Sequence, residues 1–251
     1  MELPTPLKLR SGFCTDTGPL RKNNEDLYLC DEKRRLFAVC DGMGGQAGGE
    51  RASAIAIETL DTLLTKKRID EALQSGEEAV FALLTEVLLK AHHKILEEGN
   101  TNEDYRHMGS TATIVLLGYR TLYLIHVGDC RLYLLREGEM HSLTKDHSLA
   151  ASLVEWGNIS ASELKSHPMR SRLVHYLGSP DTLEPYLFSE PLHSEDRILL
   201  CSDGLWEALE DDEIERLLQA KASPTLISES LVEAAKRANA KDNITTVTIL
   251  S

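Results

Sequence analysis

The sequence predicts an α+β fold in which two mainly antiparallel sheets pack on each other and are covered by helices. Three observations lead there. Short apolar runs come in pairs joined by polar turns, the pattern of β-hairpins. Two amphipathic helical patterns follow one another with no strand between them. Strands and helices also fail to alternate in the way a parallel sheet requires.

Taken in order, Leu27 to Cys30 and Leu36 to Cys40 flank the charged turn Asp31-Glu32-Lys33-Arg34-Arg35 and read as a hairpin. A helix follows, with Ala52, Ile55, Ala56, Thr59, Leu60, Leu63 and Leu64 on one face. A second carries Val80, Leu83, Leu84, Val87, Leu88, Ala91 and Ile95 at the same spacing, so the two can lie side by side on a sheet. Thr111 to Leu117 pairs with Leu122 to Val127, and Leu132 to Leu135 with Met140 to Leu143. The stretch from Asp146 to about His167 is polar and weakly helical, and is expected outside the core. Arg197 to Cys201 is a buried strand. Ser223-Pro224 opens a helix, with Ser as cap and Pro at the first helical position. Ile244 to Leu250 is the last strand.

With 251 residues, 42% apolar and 27% charged, and no repeat or low-complexity linker, one globular domain over 1–251 is the simplest organisation. The net charge of −13 argues against nucleic acid, whose backbone needs clustered Lys and Arg. Such a balance serves solubility, or it gathers carboxylates around a metal. No apolar run approaches the roughly 20 residues of a membrane span. The start, Met1-Glu2-Leu3-Pro4-Thr5-Pro6, lacks the layout of a secretory signal, so a cytoplasmic protein without membrane contact is expected. Cys14, Cys30, Cys40, Cys130 and Cys201 form no CxxC pair, which indicates neither a zinc site nor a disulfide framework.

The informative feature is where certain acids fall. Asp41, Asp129 and Asp203 each follow an apolar run and neighbour a glycine; Asp242 directly precedes the last strand; Glu25 and Asp26 precede the first strand of the opening hairpin. Singly, each is ordinary turn chemistry. Together, at the ends of sheets that share an edge, they repel one another and lose hydration unless a cation neutralises them. Oxygen ligands without His or Cys select a hard ion, Mg2+ or Mn2+, and two such ions can clamp a phosphoryl group.

Three other patterns carry less. Cys130 and Arg136 have the C-x5-R spacing of cysteine-dependent phosphatases, but the residues between them read as strand and contain no glycine. Gly42-Met43-Gly44-Gly45-Gln46-Ala47 matches a dinucleotide fingerprint, yet the helix after it leads to another helix rather than to a parallel strand. Among the nine histidines, His92, His93 and His126 sit in helix or strand patterns, where packing is the ordinary role.

These motifs have a family counterpart. The chain resembles the metal-dependent protein phosphatases of type 2C, especially the compact bacterial members, from about Gly12 to Leu250. The resemblance rests on Thr17-Gly18-x-x-Arg21-x-x-Asn24-Glu25-Asp26, Asp41-Gly42-Met43-Gly44-Gly45, Gly109-Ser110-Thr111-Ala112, Val127-Gly128-Asp129-Cys130-Arg131, Leu143-Thr144-x-Asp146-His147-Ser148, Cys201-Ser202-Asp203-Gly204-Leu205-Trp206 and Asp242-Asn243-Ile244-Thr245, in family order.

That resemblance implies a four-layer αββα sandwich and a binuclear centre of Mn2+ or Mg2+ at one edge of the two sheets. It implies Asp41 bridging both ions, Glu25 and the Gly42 carbonyl completing one site, and Asp203 and Asp242 completing the other. Asp26 would hold a metal-bound water from behind the ligands. Asp129, with Asp203, matches a third and weaker site, and Arg21 the ligand of the substrate phosphate, for which its planar fork is suited. The implied reaction is hydrolysis of phosphoserine and phosphothreonine in proteins by a metal-bridging hydroxide, without a phosphoenzyme. The implied partners are phosphorylated proteins and a cognate Ser/Thr kinase, and a monomer is the default.

Several positions depart from the family pattern. Met43 stands where many eukaryotic members carry a His proposed as general acid, and Met cannot donate a proton. Ser110 replaces the usual Thr, and His175 an Arg common in bacterial relatives. The segment at about 146–167 corresponds to a mobile flap linked to substrate choice, with Trp156 as a docking or anchoring residue. A non-catalytic relative that binds phosphoproteins is the alternative, and a nucleotide-binding oxidoreductase is third.

Overall fold

A strand that is apolar on both faces needs a packed layer on each side. The computed structural model describes residues 5–45, 47–160, 163–164 and 167–251, and in it β3 (Leu36–Met43) finds both layers. Phe37 and Val39 enter one hydrophobic cluster, while Leu36, Ala38 and Cys40 enter another.

The first sheet runs β2 (Asp26–Asp31), β3, β5 (Ala112–Leu117), β6 (Thr121–Val127) and β9 (Tyr186–Pro191), with the two-residue β4 (Gly109–Ser110) also on β3. The second runs β1 (Arg10–Asp16), β11 (Ile244–Leu250), β10 (Arg197–Cys201), β7 (Arg131–Arg136) and β8 (Glu139–Ser142). Each pairing is antiparallel. Between the sheets, Phe37, Val115 and Leu124 meet Leu132, Leu200 and Val247. Burying one such side chain contributes roughly 1.5–3 kcal/mol.

The outer face of the first sheet is covered by α1 (Gly48–Leu63), α2 (Lys66–Ser75) and α3 (Glu77–Thr101). The outer face of the second is covered by α5 (Asp203–Trp206), α6 (Asp211–Leu218) and α7 (Pro224–Arg237). The layers are therefore αββα, as expected. Ser223 caps α7 by accepting from the Leu226 N–H, and Pro224 follows as the first helical residue. A separate helix, α4 (Leu149–Glu155), lies in the segment between β8 and β9.

The structure departs from the sequence reading in four places. The two helices expected side by side are α1 and α3, and α2 intervenes, capped by Thr65. Strands β1 and β9 were not foreseen, because Arg10–Asp16 mixes charge with Gly12, and β9 is a half-exposed edge ending in Pro191. The expected strand from Thr111 is broken there, since the Thr111 N–H turns to the Asp41 carbonyl at 2.8 Å. Asp26 belongs to β2 rather than preceding it.

Residues 161, 162, 165 and 166 of the expected flap, and Gln46 of the fingerprint-like loop, lie outside the described residues. Within 146–160 the segment is not wholly outside the core: Ser148 and Ala150 are buried, and Asp146 is locked by Arg131. The chain after β3 enters α1 and then α2 and α3, so among the described residues this stretch forms no βαβ unit to hold a dinucleotide. Among the described residues no helix is long and apolar enough to cross a membrane.

Candidate active site

The hairpin register places the first acids. Asp26 pairs with Asp41 across β2 and β3, which brings Glu25, one residue earlier, beside Gly42. The Gly42 N–H donates to the Glu25 carbonyl at 3.1 Å. Two glycines make the fit possible. A Cβ on Gly42 would lie 2.0 Å from the Gly49 carbonyl oxygen, and one on Gly49 would lie 1.9 Å from Glu25 Oε2. The Glu25 carboxylate thus rests on bare backbone at the N-terminus of α1, where the helix dipole favours negative charge. Asp41 is held from the other side by Thr111, whose Oγ1 accepts from the Asp41 N–H at 2.8 Å.

The second sheet supplies the rest. Asp203 follows β10 and starts α5; Asp242 precedes β11; Asp129 stands between β6 and β7. Asn243 ties these parts together. Its Nδ2 donates to the carbonyls of Thr17 and Asn23 at 2.8 and 2.9 Å, and its Oδ1 accepts from the Glu25 N–H at 2.8 Å. Ser202 links the two sheets directly: its Oγ donates to Asp26 Oδ2 at 2.6 Å and accepts from the Thr245 N–H at 2.9 Å. Neither Thr111, Ser202 nor Asn243 received a role from the sequence, although each sits inside a quoted motif. A polar residue next to a motif acid was the available signal.

Arg21, Glu25, Asp41, Gly42, Asp129, Asp203 and Asp242 all line one cleft of about 260 Å3, together with Met43 and Thr111. Ser171 and Leu173 form a further wall, so the segment beyond the expected flap also shapes the cleft. Asp26 lies behind, almost fully buried. Arg21 is half-exposed at the rim, where it donates to Asp242 Oδ2 at 2.5 Å and to the Lys241 carbonyl at 3.4 Å. His175 does not reach the cleft: its ring meets His147 at 5.5 Å and lines a separate cavity beside Glu155 and Tyr186. Trp156 is 69% exposed at the end of α4, which favours contact with something outside the chain over anchoring.

The electrostatics are those of crowded acids. Burial, then the charges of Asp26 and Asp203, push the Asp41 carboxyl well above the ordinary range. Burial, then Asp129 and Asp242, do the same to Asp203. Asp129 is raised to about 7 by burial and by Asp146, and Asp26 to about 6 chiefly by burial. Two buried oxygens, Asp26 Oδ1 and Asp203 Oδ1, have no hydrogen-bond partner among the described residues. An unsatisfied buried polar atom costs about 1–3 kcal/mol, more when charged.

This donor set fits a hard divalent cation: carboxylates and one backbone carbonyl, with Asp41, Asp129 and Asp203 raised in pKa first by burial and then by neighbouring acids, and with acceptor oxygens left over. Among the described residues the side chains do not already close into a tight cage of three or more ligands.

Comparison with known proteins now decides the family. The sequence profile described as Protein phosphatase 2C matches residues 8–157 and 158–244. The chain belongs to this family. The serine/threonine protein phosphatase PstP of Mycobacterium tuberculosis is 36% identical over 243 residues, covering 96% of this chain and 45% of PstP. The chain thus spans less than half the length of that relative. The serine/threonine phosphatase stp of Listeria innocua is 30% identical over 244 residues, covering 96% of this chain and 95% of that protein. Among solved structures, the catalytic domain of PstP in complex with two manganese ions superposes with a TM-score of 0.83 at 33% identity, covering 96% of this chain and 97% of that one. Phosphatase 2C members thus share this αββα architecture.

Proposed function

We propose that the chain is a Mn2+- or Mg2+-dependent hydrolase of phosphoserine and phosphothreonine in proteins, acting on the products of a Ser/Thr kinase. The observation that carries this is the cleft floor, where burial and crowding by Asp26 and Asp203 raise the Asp41 carboxyl, burial with Asp129 and Asp242 raises that of Asp203, and Asp203 Oδ1 has no hydrogen-bond partner among the described residues. The PstP catalytic domain, solved in complex with two manganese ions, supports the same ion class.

Glu25, Asp41 and the Gly42 carbonyl would hold one ion, and Asp41, Asp203 and Asp242 the other. Asp129 and Asp203 would hold a third. When bound, such ions supply Lewis acidity toward phosphoryl oxygens and a nucleophilic water near neutral pH. The chain supplies orientation and charge. Arg21, already at the rim, offers its guanidinium to the phosphate oxygens once it leaves Asp242. Asp26 presents its unpartnered Oδ1 from behind the ligands as an acceptor that orients water. Met43 lines the cleft without a proton to give, so the leaving alkoxide takes its proton from solvent or from another group.

The test is hydrolysis of p-nitrophenyl phosphate by metal-stripped protein, with Mn2+, with Mg2+ and with chelator, beside Asp203→Asn. Activity should appear with metal and vanish with chelator, and the variant should lose at least about a hundredfold at moderate metal concentration, the scale of removing one transition-state stabilising group. A folded protein silent under every metal condition would instead be a phosphoprotein-binding relative.

A further inference from the structure

The active cleft has a neighbour. A second cavity, of about 370 Å3, is lined by Arg170, Glu207, Ala208, Asn239 and Lys241, among others. Its wall is continuous with that of the cleft at two points of the chain. Arg170 lines the cavity and Ser171 the cleft; Lys241 lines the cavity and Asp242 the cleft. Consecutive Cα atoms are about 3.8 Å apart, so the cavity and the cleft share a wall at both points.

The charges in this cavity are unequal. Arg170 and Glu207 neutralise each other, with Nε to Oε1 at 2.8 Å and Nη2 to Oε2 at 3.1 Å. Lys241 is exposed, and among the described residues its ammonium has neither a salt-bridge nor a hydrogen-bond partner. The chain reverses sharply to present it. Asn239 adopts φ 56°, a left-handed conformation that Asn tolerates better than most residues, directly after α7. Ala208, Ala238 and Ala240 keep the surroundings small, and the one carboxylate in the lining, Glu207, is already engaged by Arg170. The Lys241 carbonyl also accepts from Arg21 Nε, which couples this segment to the rim of the cleft.

We propose that this cavity is a substrate subsite in which Lys241 receives an anionic side chain flanking the phosphorylated residue. The ligand class is a carboxylate or a second phosphate on the same peptide. The phosphatase reading places the phosphorylated residue, and the subsite rests on it. In a protein of net charge −13, an unpaired cation beside the catalytic acids selects acidic phosphopeptides from others.

The test compares kcat/KM on phosphothreonine peptides that are otherwise alanine. One carries a single Glu walked through the three positions on either side, one carries a non-hydrolysable phosphonate analogue of phosphoserine at the same positions, and one carries neither; p-nitrophenyl phosphate is the control. The wild-type protein should favour an acidic side chain at one position by about three- to tenfold, mainly through KM, as expected of one partly shielded charge-assisted contact. The phosphonate arm tells a second phosphate from a carboxylate by which is preferred. Near 1 M salt, where the Debye length is about 3 Å, the preference should collapse.

Lys241→Ala should erase the preference while leaving the neutral peptide and p-nitrophenyl phosphate within about twofold of wild type; Lys241→Glu should invert it, and Lys241→Arg should retain it, because each removes, reverses or keeps one charge. No preference in the wild type, or one that survives both Lys241→Ala and Lys241→Glu, overturns the subsite. A wild-type protein inactive even on p-nitrophenyl phosphate with Mn2+ overturns the phosphatase reading itself, and the subsite with it.

Discussion

At the scale of single residues, the cleft depends on side chains that touch no substrate. Ser202 is the clearest. Its hydroxyl serves Asp26 of one sheet and the Thr245 N–H of the other, so Ser202→Ala strands a carboxylate oxygen and a backbone donor, both buried. The expected loss is about 1–3 kcal/mol, read as a lower urea midpoint at unchanged m-value. A second residue-scale prediction concerns acid. Burial and the neighbouring His147 depress His126 to about 3, and burial and His175 depress His147 to about 4. Both rings therefore fold neutral, well below an ordinary value near 6.5.

The unfolded chain takes up these protons at a higher pH than the native protein does. The neutral rings thus add stability that is fully present above pH about 6.5 and is lost as pH falls toward 3–4. With Mn2+ saturating, so that the carboxylates are fixed, thermal stability should fall along that window. In His126→Asn, whose amide can stand in for Nδ1, the slope should flatten while the contact to Thr113 is kept. An unchanged slope would place the acid sensitivity elsewhere.

At the scale of elements, the start of α1 shows how backbone shape sets metal chemistry. Alanine is normally better than glycine in a helix by about 1 kcal/mol. At Gly49 a Cβ would meet Glu25 Oε2 at 1.9 Å, so the carboxylate must move. Gly49→Ala should therefore keep its helical circular dichroism yet bind Mn2+ at least about tenfold more weakly by calorimetry, a loss of roughly 1.4 kcal/mol. Unaltered affinity would show that Glu25 does not need this seat. Elements also separate what patterning reveals from what it hides. α1 and α3 were legible from their apolar spacing and α7 from its Ser223-Pro224 cap, all local properties. β1 was not: Gly12 exists to let α7 approach, with the Thr225 N–H nitrogen 2.2 Å from where its Cβ would be, and nothing within Arg10–Asp16 announces that.

At the scale of the whole molecule, the two sheets meet at an edge where their charges conflict, and a cation resolves the conflict. Ligands that bind only the native state stabilise it by mass action, by about 2.7 kcal/mol at a hundredfold excess over Kd. For a domain of this size that corresponds to a rise in Tm of about 5–10 °C. Saturating Mn2+ should raise Tm by that order, and chelator should reverse it. The rise should shrink in Asp203→Asn. An equal rise in wild type and variant would mean that the stabilising ion sits away from the cleft.

The fold and the acids could be read from the sequence because both depend on local regularities. Continuous apolar runs such as Leu36 to Cys40 need a layer on each face, and acids repeated at strand ends mark a common edge. The supporting residues could not be read in this way. Thr111, Ser202 and Asn243 look like ordinary polar residues until the sheets pack and bring Asp41, Asp26 and Glu25 within hydrogen-bond distance of them. The cavity beside Lys241 likewise exists only because residues near 170, 207 and 240 converge. Sequence alone determined the layers, the family resemblance and the candidate ligands. Tertiary structure decided which atoms lack partners, which glycines are seats and that Lys241 stands beside the cleft, because burial and contact between distant residues arise only when the chain has closed.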